Sequence, residues 1–308
     1  MGDSLVAAID IGGTKIAVAA VDPNGHVVAR TRFLTTTNEV GPDATIARIG
    51  DAIQWCEREA HQRIEAIGIG CTGPVDPLTG VIGAVDLLPG WEGTPLVPIL
   101  ATRFQVPAAM ENDADAGALG EWQLYRDGRF LFVSIGTGIG AGLILNGEIY
   151  RGVDGSHPEL GHHTIDATGP DCYCGASGCW ESLASGPAVA RLYGDEALGA
   201  EQIFALARQG NPTAQHAVDR QAYYLGLGVA NLMTLFCPGR IVLGGGIMQC
   251  EDLLMDGIQA VIRRHCGLVP ASRIHIAVSK LGPDAVLIGA AHIAEKAKQK
   301  LEVLCRNQ

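Results

Sequence analysis

One local pattern occurs twice in the chain, and this repeat constrains the fold more than any other feature of the sequence. In each copy an apolar run ends at a turn of glycine and threonine, and the next apolar run ends at an Asn-Gly pair. The two turns begin at Gly12 and Gly136, which are 124 positions apart (136 − 12). Asn-Gly favours the tight turns that join antiparallel strands, so each copy predicts a meander of strands. The repeat therefore predicts a duplicated chain with two similar halves.

Hydrophobic periodicity predicts strands mixed with helices in both halves, a rhythm typical of an α/β architecture. We expect strands over residues 5–11, 16–21, 26–31, 64–69, 106–110, 129–135, 141–145, 240–243 and 274–278. We expect helices over residues 43–61, 96–104, 113–125, 181–193, 213–236, 251–265 and 284–300. The predicted domains are a smaller one at 1–120, joined by the C-terminal helix at about 285–308, and a larger one at 121–284. The crossover is expected near 121–127, and a cleft is expected between the two halves.

Composition excludes several classes of protein. Of the 308 residues, 47% are hydrophobic, and none of the apolar runs reaches the length of a membrane span, so neither a disordered chain nor a membrane helix is expected. The 22 basic and 33 acidic residues give a net charge of −11, which disfavours nucleic acid and anionic membranes as partners. The N-terminus lacks the basic flank and apolar core of a secretion signal. We therefore expect a cytoplasmic protein whose nine cysteines are reduced.

Three glycine-rich turns, at residues 12–15, 136–140 and 244–246, each follow an apolar strand. A glycine has no Cβ, so its backbone can approach a phosphate closely. The spacing does not fit a P-loop, and the second turn leads into a strand rather than the helix that a Rossmann site requires. The third turn precedes a helix, whose N-terminal amides favour an anion. One such turn alone indicates a tight hairpin, but the three together favour phosphate binding.

Two charged residues flank the first turn. Asp10 is either a surface turn aspartate or a ligand of magnesium, directly or through water, beside phosphates. Lys15 is either a solvated charge or a partner of a phosphate. The string Asp-Ile-Gly-Gly-Thr-Lys favours the functional interpretation of Asp10.

Glu111, Asn112 and Asp113 stand between a predicted strand and a predicted helix. The simplest interpretation is that Asn112 or Asp113 caps the helix. The alternative is that Asp113 is a general base and Asn112 holds the hydroxyl group that loses its proton. Both can hold, because a helix N-terminus also favours an ionised carboxylate.

The sharpest local signal is a set of three cysteines and one histidine, namely His162, Cys172, Cys174 and Cys179. Cys₃His is a common composition of structural zinc sites, although Cys-x-Cys is tighter than the usual Cys-x-x-Cys. A redox thiol cluster or unrelated buried cysteines are the alternatives. Gly175 and Gly178 favour a loop that folds around a metal ion. The remaining six cysteines show no clustering, and His163 is expected to point elsewhere.

Two carboxylates flank this loop in sequence, Glu159 and Glu181. Each alone is an ordinary solvated charge, but a rigid metal loop would make both candidates for holding the hydroxyls of a polyol. A hydrolase that pairs Asp113 with Glu159 is a further alternative. That alternative leaves the three phosphate-sized turns without a role.

Together these motifs resemble the ROK family, which is named for repressors, open reading frames and kinases. The resemblance spans nearly the whole chain and rests on residues 10–15, 111–113, 136–140, 159–162, 172–175, 178–181, 244–246 and 282–285. It implies the actin-like, hexokinase-type ATPase fold, in which two ribonuclease-H-like domains close over ATP and a sugar. It also implies an ATP-dependent kinase that phosphorylates the 6-hydroxyl of a hexose, with Mg²⁺ and a structural Zn²⁺ as cofactors.

The resemblance implies a role for each matching residue. Asp113 would take the proton of the sugar's primary hydroxyl, and the ring would be held by Gly73, Asn112, Glu159, His162 and Glu181. His162 would also bind zinc with Cys172, Cys174 and Cys179. The phosphates would lie at Gly12, Gly13, Thr14, Lys15, Thr137 and Gly138, with magnesium near Asp10 and the adenosine near Gly245 and Gly246.

Several alternatives stay open within the family. Its transcription regulators carry a helix-turn-helix domain before the kinase-like part, and we expect none here because the first motif starts at Asp10. The motif at 88–91 is similar to that of glucokinases, whereas His157 and Pro158 are similar to the fructokinase type, so fructose, mannose and N-acetylhexosamines stay possible substrates beside glucose. Polyphosphate stays a possible donor. We expect a homodimer or a higher homo-oligomer.

Overall fold

A computed structural model describes residues 4–35 and 41–306 of the chain. These residues form two compact units. Unit 1 comprises the described residues within Met1–Tyr125, Ile149–Pro158 and Pro283–Gln308, and unit 2 comprises Arg126–Glu148 and Glu159–Gly282. The division into domains at 1–120 with about 285–308, and at 121–284, stays a proposal.

Unit 1 is built on a five-stranded sheet with helices on both of its faces. Its elements are, in chain order, β1 (Leu5–Ile11), β2 (Lys15–Val21), β3 (Val27–Leu34), α1 (Asp43–Ala60), β4 (Ile64–Cys71), β5 (Val75–Asp76), β6 (Val81–Ile82), α2 (Leu96–Phe104), β7 (Ala108–Asn112) and α3 (Asp113–Tyr125). The sheet has the order β3-β2-β1-β4-β7, with β1, β4 and β7 parallel to one another.

Unit 2 has a second five-stranded sheet and a larger set of helices. Its elements are β8 (Arg129–Ile135), β9 (Ile139–Leu145), β10 (Glu148–Ile149, which ends in unit 1), α4 (Trp180–Ala184), α5 (Gly186–Tyr193), α6 (Ala200–Arg208), α7 (Pro212–Phe236), β11 (Arg240–Gly244), α8 (Glu251–His265) and β12 (His275–Val278). The order β10-β9-β8-β11-β12 repeats that of unit 1, and β8, β11 and β12 are parallel. The last helix, α9 (Ala285–Arg306), belongs to unit 1.

The cores follow directly from the apolar runs. In unit 1 alternate residues of β1 face opposite sides: Leu5, Ala7 and Ile9 pack with α1 and α2, whereas Val6 and Ala8 pack with α9. Helix α9 lies very close to α3 and β4, since a Cβ on Gly289 would stand 1.6 Å from the Ala116 carbonyl oxygen. Burial of these runs from water is the dominant favourable term in folding.

Helix ends also follow local sequence. Asn211 caps α7, its Oδ1 accepting a hydrogen bond of 3.0 Å from the Ala214 amide, and Pro212 occupies the first turn, where its missing N–H is not needed. The hairpin turn after β9 is of the predicted kind, because Asn146 and Gly147 both have positive φ.

The prediction of two similar α/β halves is confirmed, and several predicted boundaries are corrected. The helix expected over 181–193 is two helices, because Ser185 is extended, Pro187 has no N–H, and the Gly186 amide donates to the Gly136 carbonyl instead of continuing the helix. Helix α6 was not predicted. A 3₁₀ turn (Gly246–Cys250) lies between the third glycine turn and α8. Most of the crossover expected at 121–127 is helical, since α3 extends to Tyr125.

The strand ends near the site also differ from prediction. Strand β7 covers Ala108–Asn112 rather than 106–110, because Pro107 cannot donate to the sheet and pairing starts after it. Glu111 and Asn112 are thus the last residues of a strand and Asp113 is the first of a helix, with no loop between them. Within the residues described, no helix combines the length and apolarity needed to cross a membrane.

Candidate functional site

In unit 1 the candidate residues meet at the carboxyl ends of the three parallel strands. Asp10 on β1 lies opposite Gly70 on β4, and Gly70 lies opposite Glu111 on β7. The next residue of β7 is Asn112, and α3 begins directly afterwards at Asp113. Open α/β sheets bind their ligands at this edge, because the loops and helix N-termini there are free to vary without disturbing the sheet.

Asn112 and Asp113 share one backbone amide. The Ala114 N–H donates to Asn112 Oδ1 and to Asp113 Oδ1, at 2.8 Å in each case. The Asn112 side-chain amide donates in turn to the Gly73 carbonyl oxygen at 3.2 Å. Asn112 therefore precedes α3 and caps it, whereas Asp113 is the first helical residue and accepts from the same amide, and these bonds hold both side chains at the strand edge. Gly73 has a φ of +85°, which favours glycine, and a Cβ there would lie 2.0 Å from Val85.

The carboxyl groups of Asp10 and Asp113 are coupled electrostatically. Burial, then the negative charge of Asp113, raises the pKa of Asp10 to about 7, and the guanidinium groups of Arg32 and Arg30 oppose that rise. Burial and the same two carboxylates also raise the pKa of the Cys71 thiol. Two carboxyls that resist ionising together form a site that a divalent cation would stabilise. Such a group of hard oxygen ligands fits magnesium.

The first glycine turn is closed by its own backbone. The Gly12 amide donates to the Lys15 carbonyl at 3.0 Å, and the Thr35 hydroxyl donates to the Gly12 carbonyl at 2.7 Å. Thr14 and Lys15 are exposed, whereas Gly13 packs so closely that a Cβ would lie 3.0 Å from Leu87. The turn therefore presents its outer residues to solvent directly after Asp10.

A buried charged network lies beside Asp113 and was not predicted from the sequence. Arg151 forms an ion pair with Glu111, and His157 Nδ1 lies 2.7 Å from the Asp115 carboxylate. Burial raises the pKa of Glu111 to about 7, although the Arg151 charge opposes the rise. Acidic residues at every second position from 111 to 115 were a visible signal, but their partners are some forty residues away in sequence. The network ties the segment at 149–158 to the start of α3.

In unit 2 the second glycine turn is held by a carboxylate. The Gly136 amide donates to the Gly138 carbonyl at 2.9 Å, and the Ile139 amide donates to Glu181 Oε2 at 2.7 Å. A Cβ on Gly138 would lie 2.5 Å from that same oxygen. Glu181 is thus oriented by the turn itself.

A cavity of about 920 Å³ opens beside this turn. Gly136, Thr137 and Gly246 form part of its lining, and apolar side chains form another, among them Pro187, Leu198, Phe204 and Ile247. Its size and mixed lining suit a nucleoside with phosphates at the glycine end. The apolar wall comes largely from α5, from α6 and from the segment before α6, which sequence reasoning did not identify.

The third glycine turn lines the same cavity and needs glycine for a steric reason. Gly245 has a φ of +86°, and a Cβ there would lie 2.3 Å from the Ile135 carbonyl oxygen. Gly246 faces open space. The structure therefore brings Gly136, Thr137 and Gly246 to one cavity, with Gly245 supporting them.

The structure also brings the predicted cysteines and histidine together. The ligand atoms of His162, Cys172, Cys174 and Cys179 all lie within 4.8 Å of one another. The Cys174 and Cys179 sulfurs are 3.5 Å apart, and the Cys172 sulfur is 3.5 Å from His162 Nδ1. Tetrahedral zinc with bonds of about 2.0–2.3 Å spaces its ligands about 3.4–3.8 Å apart, so these two separations and the Cys₃His composition suit this metal.

The neighbouring groups behave as the sequence indicated. His163 points elsewhere, its Nδ1 lying 2.6 Å from the Leu160 carbonyl and its ring against Trp180. The other cysteines are free and lie outside the cluster, at positions 56, 71, 237, 250, 266 and 305. Glu159 is exposed at the start of the segment that leads to His162. Beside these groups stands Tyr173, whose hydroxyl lies 3.0 Å from His162 Nε2 and which the sequence pattern did not single out.

Comparisons with known proteins identify the family and the fold. A model of the ROK family matches residues 6–297. The chain is 31% identical to a glucokinase of Halalkalibacterium halodurans, over 98% of both chains. A ROK hexokinase structure from Thermus thermophilus superposes with a TM-score of 0.84 at 33% identity, covering 96% of this chain and 99% of that one. A ROK glucokinase structure from Streptomyces griseus, in complex with glucose and AMPPNP, has a TM-score of 0.81 at 29% identity and covers 95% and 100%.

Proposed function

This chain belongs to the ROK family and has the actin-like ATPase fold, and from that premise we propose that it is an ATP-dependent hexose kinase that acts on glucose. The observation that carries the proposal is the pair of coupled carboxyls, Asp10 and Asp113, at the carboxyl ends of β1 and β7. Phosphoryl transfer needs a positioned base and a place where phosphate charge is neutralised. One edge of one sheet supplies residues for both.

Asp113 is the proposed general base. Its carboxylate would accept the proton of the sugar's 6-hydroxyl as that oxygen attacks the γ-phosphorus and the bond to the β-phosphate oxygen breaks, giving the hexose 6-phosphate and ADP. Asn112 and Gly73 are the proposed sugar contacts in the same unit, and the hydrogen bond between them keeps the Asn112 side chain in place.

Three further residues are proposed as sugar contacts. We assign these to Glu159, His162 and Glu181, whose carboxylate and ring nitrogens suit the hydroxyls of a hexose. Zinc on His162 and the three cysteines would fix the ring orientation of His162, an effect that normally strengthens activity. Magnesium would neutralise phosphate charge, and Asp10 is the residue proposed to hold it, directly or through water.

The cavity of unit 2 supports ATP rather than polyphosphate as the donor. Its apolar wall offers burial to a nucleoside base, and two acidic side chains, Glu196 and Glu201, line it. Its arginine, Arg208, is already bound by Asp252 through two hydrogen bonds of 2.7 and 3.1 Å. A polyphosphate chain carries a charge on every phosphate and would require free cations along its path.

Two sequence features that bear on the sugar have structural roles. Leu88 and Trp91 of the glucokinase-like motif are 1% and 0% exposed, so they belong to the core of unit 1. His157 of the fructokinase-like motif is bound to Asp115. The proposal of glucose rests on similarity to the glucokinases. The cytoplasmic location and the homo-oligomer likewise stay proposals.

A coupled phosphorylation assay tests the function. Glucose, fructose, mannose and the N-acetylhexosamines would each be offered with ATP and with polyphosphate. We expect the highest kcat/KM for glucose with ATP. The product should carry its phosphate on carbon 6. Phosphorylation of none of these sugars by either donor would contradict the proposal, whereas preference for fructose would correct only the sugar.

A further inference from the structure

The hydroxyl group of Tyr173 has no role in the reaction proposed above, yet it lies among residues proposed to hold the hexose. It is 3.0 Å from His162 Nε2 and forms a hydrogen bond with Glu181, and the charge of Glu159 acts on it as well. The His162 and Tyr173 rings meet edge to face with centroids 5.1 Å apart. All four residues belong to unit 2.

This hydroxyl has the hydrogen-bonding chemistry of a sugar hydroxyl. His162 directs Nδ1 toward the Cys172 sulfur, so Nε2 is the nitrogen left to donate to an oxygen. A hydroxyl can accept that bond and donate its own proton to a carboxylate, and Glu181 supplies the carboxylate. A phenol hydroxyl and a hexose hydroxyl can each make this same pair of hydrogen bonds.

Because the two hydroxyls share these partners, we propose that the Tyr173 hydroxyl occupies the position of one hexose hydroxyl and that the sugar displaces the Tyr173 side chain on binding. The inference rests on the proposed function, because it takes His162 and Glu181 to be sugar contacts. Tyr173 would then set the affinity for the sugar without taking part in phosphoryl transfer.

The surroundings allow the side chain to leave while its partners stay. Tyr173 is 77% exposed, so its ring can rotate into solvent. The loop that carries it is closed by its own backbone, with the Cys172 amide donating to the Ala176 carbonyl at 2.8 Å. Glu181 keeps its bond to the Ile139 amide. Displacement therefore requires a change of rotamer rather than of the loop.

Replacing Tyr173 by phenylalanine tests the proposal, since the ring remains and the competing hydroxyl is lost. We expect Tyr173→Phe to bind glucose about 3- to 10-fold more tightly by calorimetry without nucleotide, because the binding-competent state is no longer depleted. KM for glucose should fall by a similar factor at unchanged kcat. Tyr223→Phe is the matched control: that ring packs on Arg220 and Tyr224 of α7 and is not among the proposed sugar contacts, so the affinity of this variant for glucose should equal that of the wild type.

The outcomes separate this inference from the proposed function. If the wild type binds and phosphorylates glucose but Tyr173→Phe binds it equally or more weakly, the hydroxyl is no competitor and the inference is wrong. If the wild type neither binds nor phosphorylates any hexose, the proposed function fails first. Metal content measured on both variants shows whether the loop is intact, because a change there would affect affinity by another route.

Discussion

The two sheets share one strand order, but the residues at the carboxyl ends of their strands differ: two are acidic in unit 1, and those in unit 2 are uncharged. In unit 1 the row at the carboxyl ends reads Asp10, Gly70 and Glu111, and in unit 2 the corresponding pair is Ser134 and Gly244. The strand–turn–strand that starts each sheet is otherwise alike, with Ile11 paired to Ile16 and Ile135 paired to Ile139.

This difference indicates how a duplicated scaffold divides its work. Unit 1 places carboxyl groups where burial, together with the charge of Asp113 on Asp10 and of Asp115 on Glu111, raises the pKa of each to about 7. Unit 2 places glycines beside a cavity, where main-chain atoms and apolar walls line the space. Under the proposed function, unit 1 would serve charge neutralisation and proton transfer and unit 2 would hold the nucleotide, and the following variants test that comparison.

The largest effect is expected at the carboxylate edge. Asp113→Asn keeps the shape and the cap of α3 but cannot accept a proton, so kcat should fall by at least about 10²–10⁴-fold while glucose still binds. Steady-state kinetics and calorimetry measure the two quantities. Asp86→Asn, at an exposed aspartate of the same unit, is the control and should retain full activity. If Asp113→Asn retains a tenth of the wild-type kcat, Asp113 is not the general base and serves only at the N-terminus of α3.

The metal loop of unit 2 should give the next largest effect. We expect one zinc ion per chain in the wild type by elemental analysis, and Cys174→Ser should lose that ion and with it the fixed orientation of His162. Displacement of the sugar contacts by about an ångström can lower the rate roughly 100-fold. KM for glucose should rise much more than KM for ATP.

Cys305→Ser provides the control for this loss, because Cys305 is an exposed cysteine on α9 outside the cluster. It should keep both metal and activity. Active wild-type enzyme without zinc, or an unimpaired Cys174→Ser variant, would show that the cluster is structural thiol packing alone.

Replacement of a glycine tests the third glycine turn, residues 244–246, of unit 2. Gly245→Ala forces a side chain into a left-handed conformation and against the Ile135 carbonyl, so the free energy of unfolding should fall by about 1–3 kcal/mol. KM for ATP should rise about tenfold, with a smaller change for glucose, because the turn lines the cavity. Gly267→Ala, which faces open space without a positive φ, should leave stability nearly unchanged. Equal ATP affinities in both variants would show that the turn does not contribute to nucleotide binding.

The smallest effect concerns stability and pH in unit 1. The folded protein raises the pKa of Asp10 from its ordinary 3.8 to about 7, so its contribution to stability is present below about pH 4 and is lost as pH rises through about 7. Asp10→Asn stays neutral at every pH, so without magnesium or nucleotide its Tm should match the wild type near pH 4 and exceed it by about 2–5 °C at pH 8. Activity should nevertheless be lost.

Thermal unfolding across this pH range measures the Asp10 effect. In Asp10→Asn the fall of Tm with rising pH should be smaller than in the wild type but should not vanish, since Glu111 titrates in the same pH range and is retained. An Asp10→Asn variant that is less stable than the wild type at pH 8 would show that its carboxylate is satisfied in the folded state, contrary to the burial argument.

The amino-acid sequence by itself determined the duplicated α/β organisation, the family, the cap of α3 and the cysteine and histidine set, because each depends on residues close together in the chain. Local spacing, turn chemistry and hydrophobic period act over a few residues and can be read directly. The tertiary structure alone decided the rest. It placed Asp10 beside Asp113, paired Glu111 with Arg151, built the cavity wall from α5 and α6, and set Tyr173 on His162 and Glu181. These contacts depend on the register of distant strands and on which groups are withdrawn from water, and neither is set by sequence neighbours.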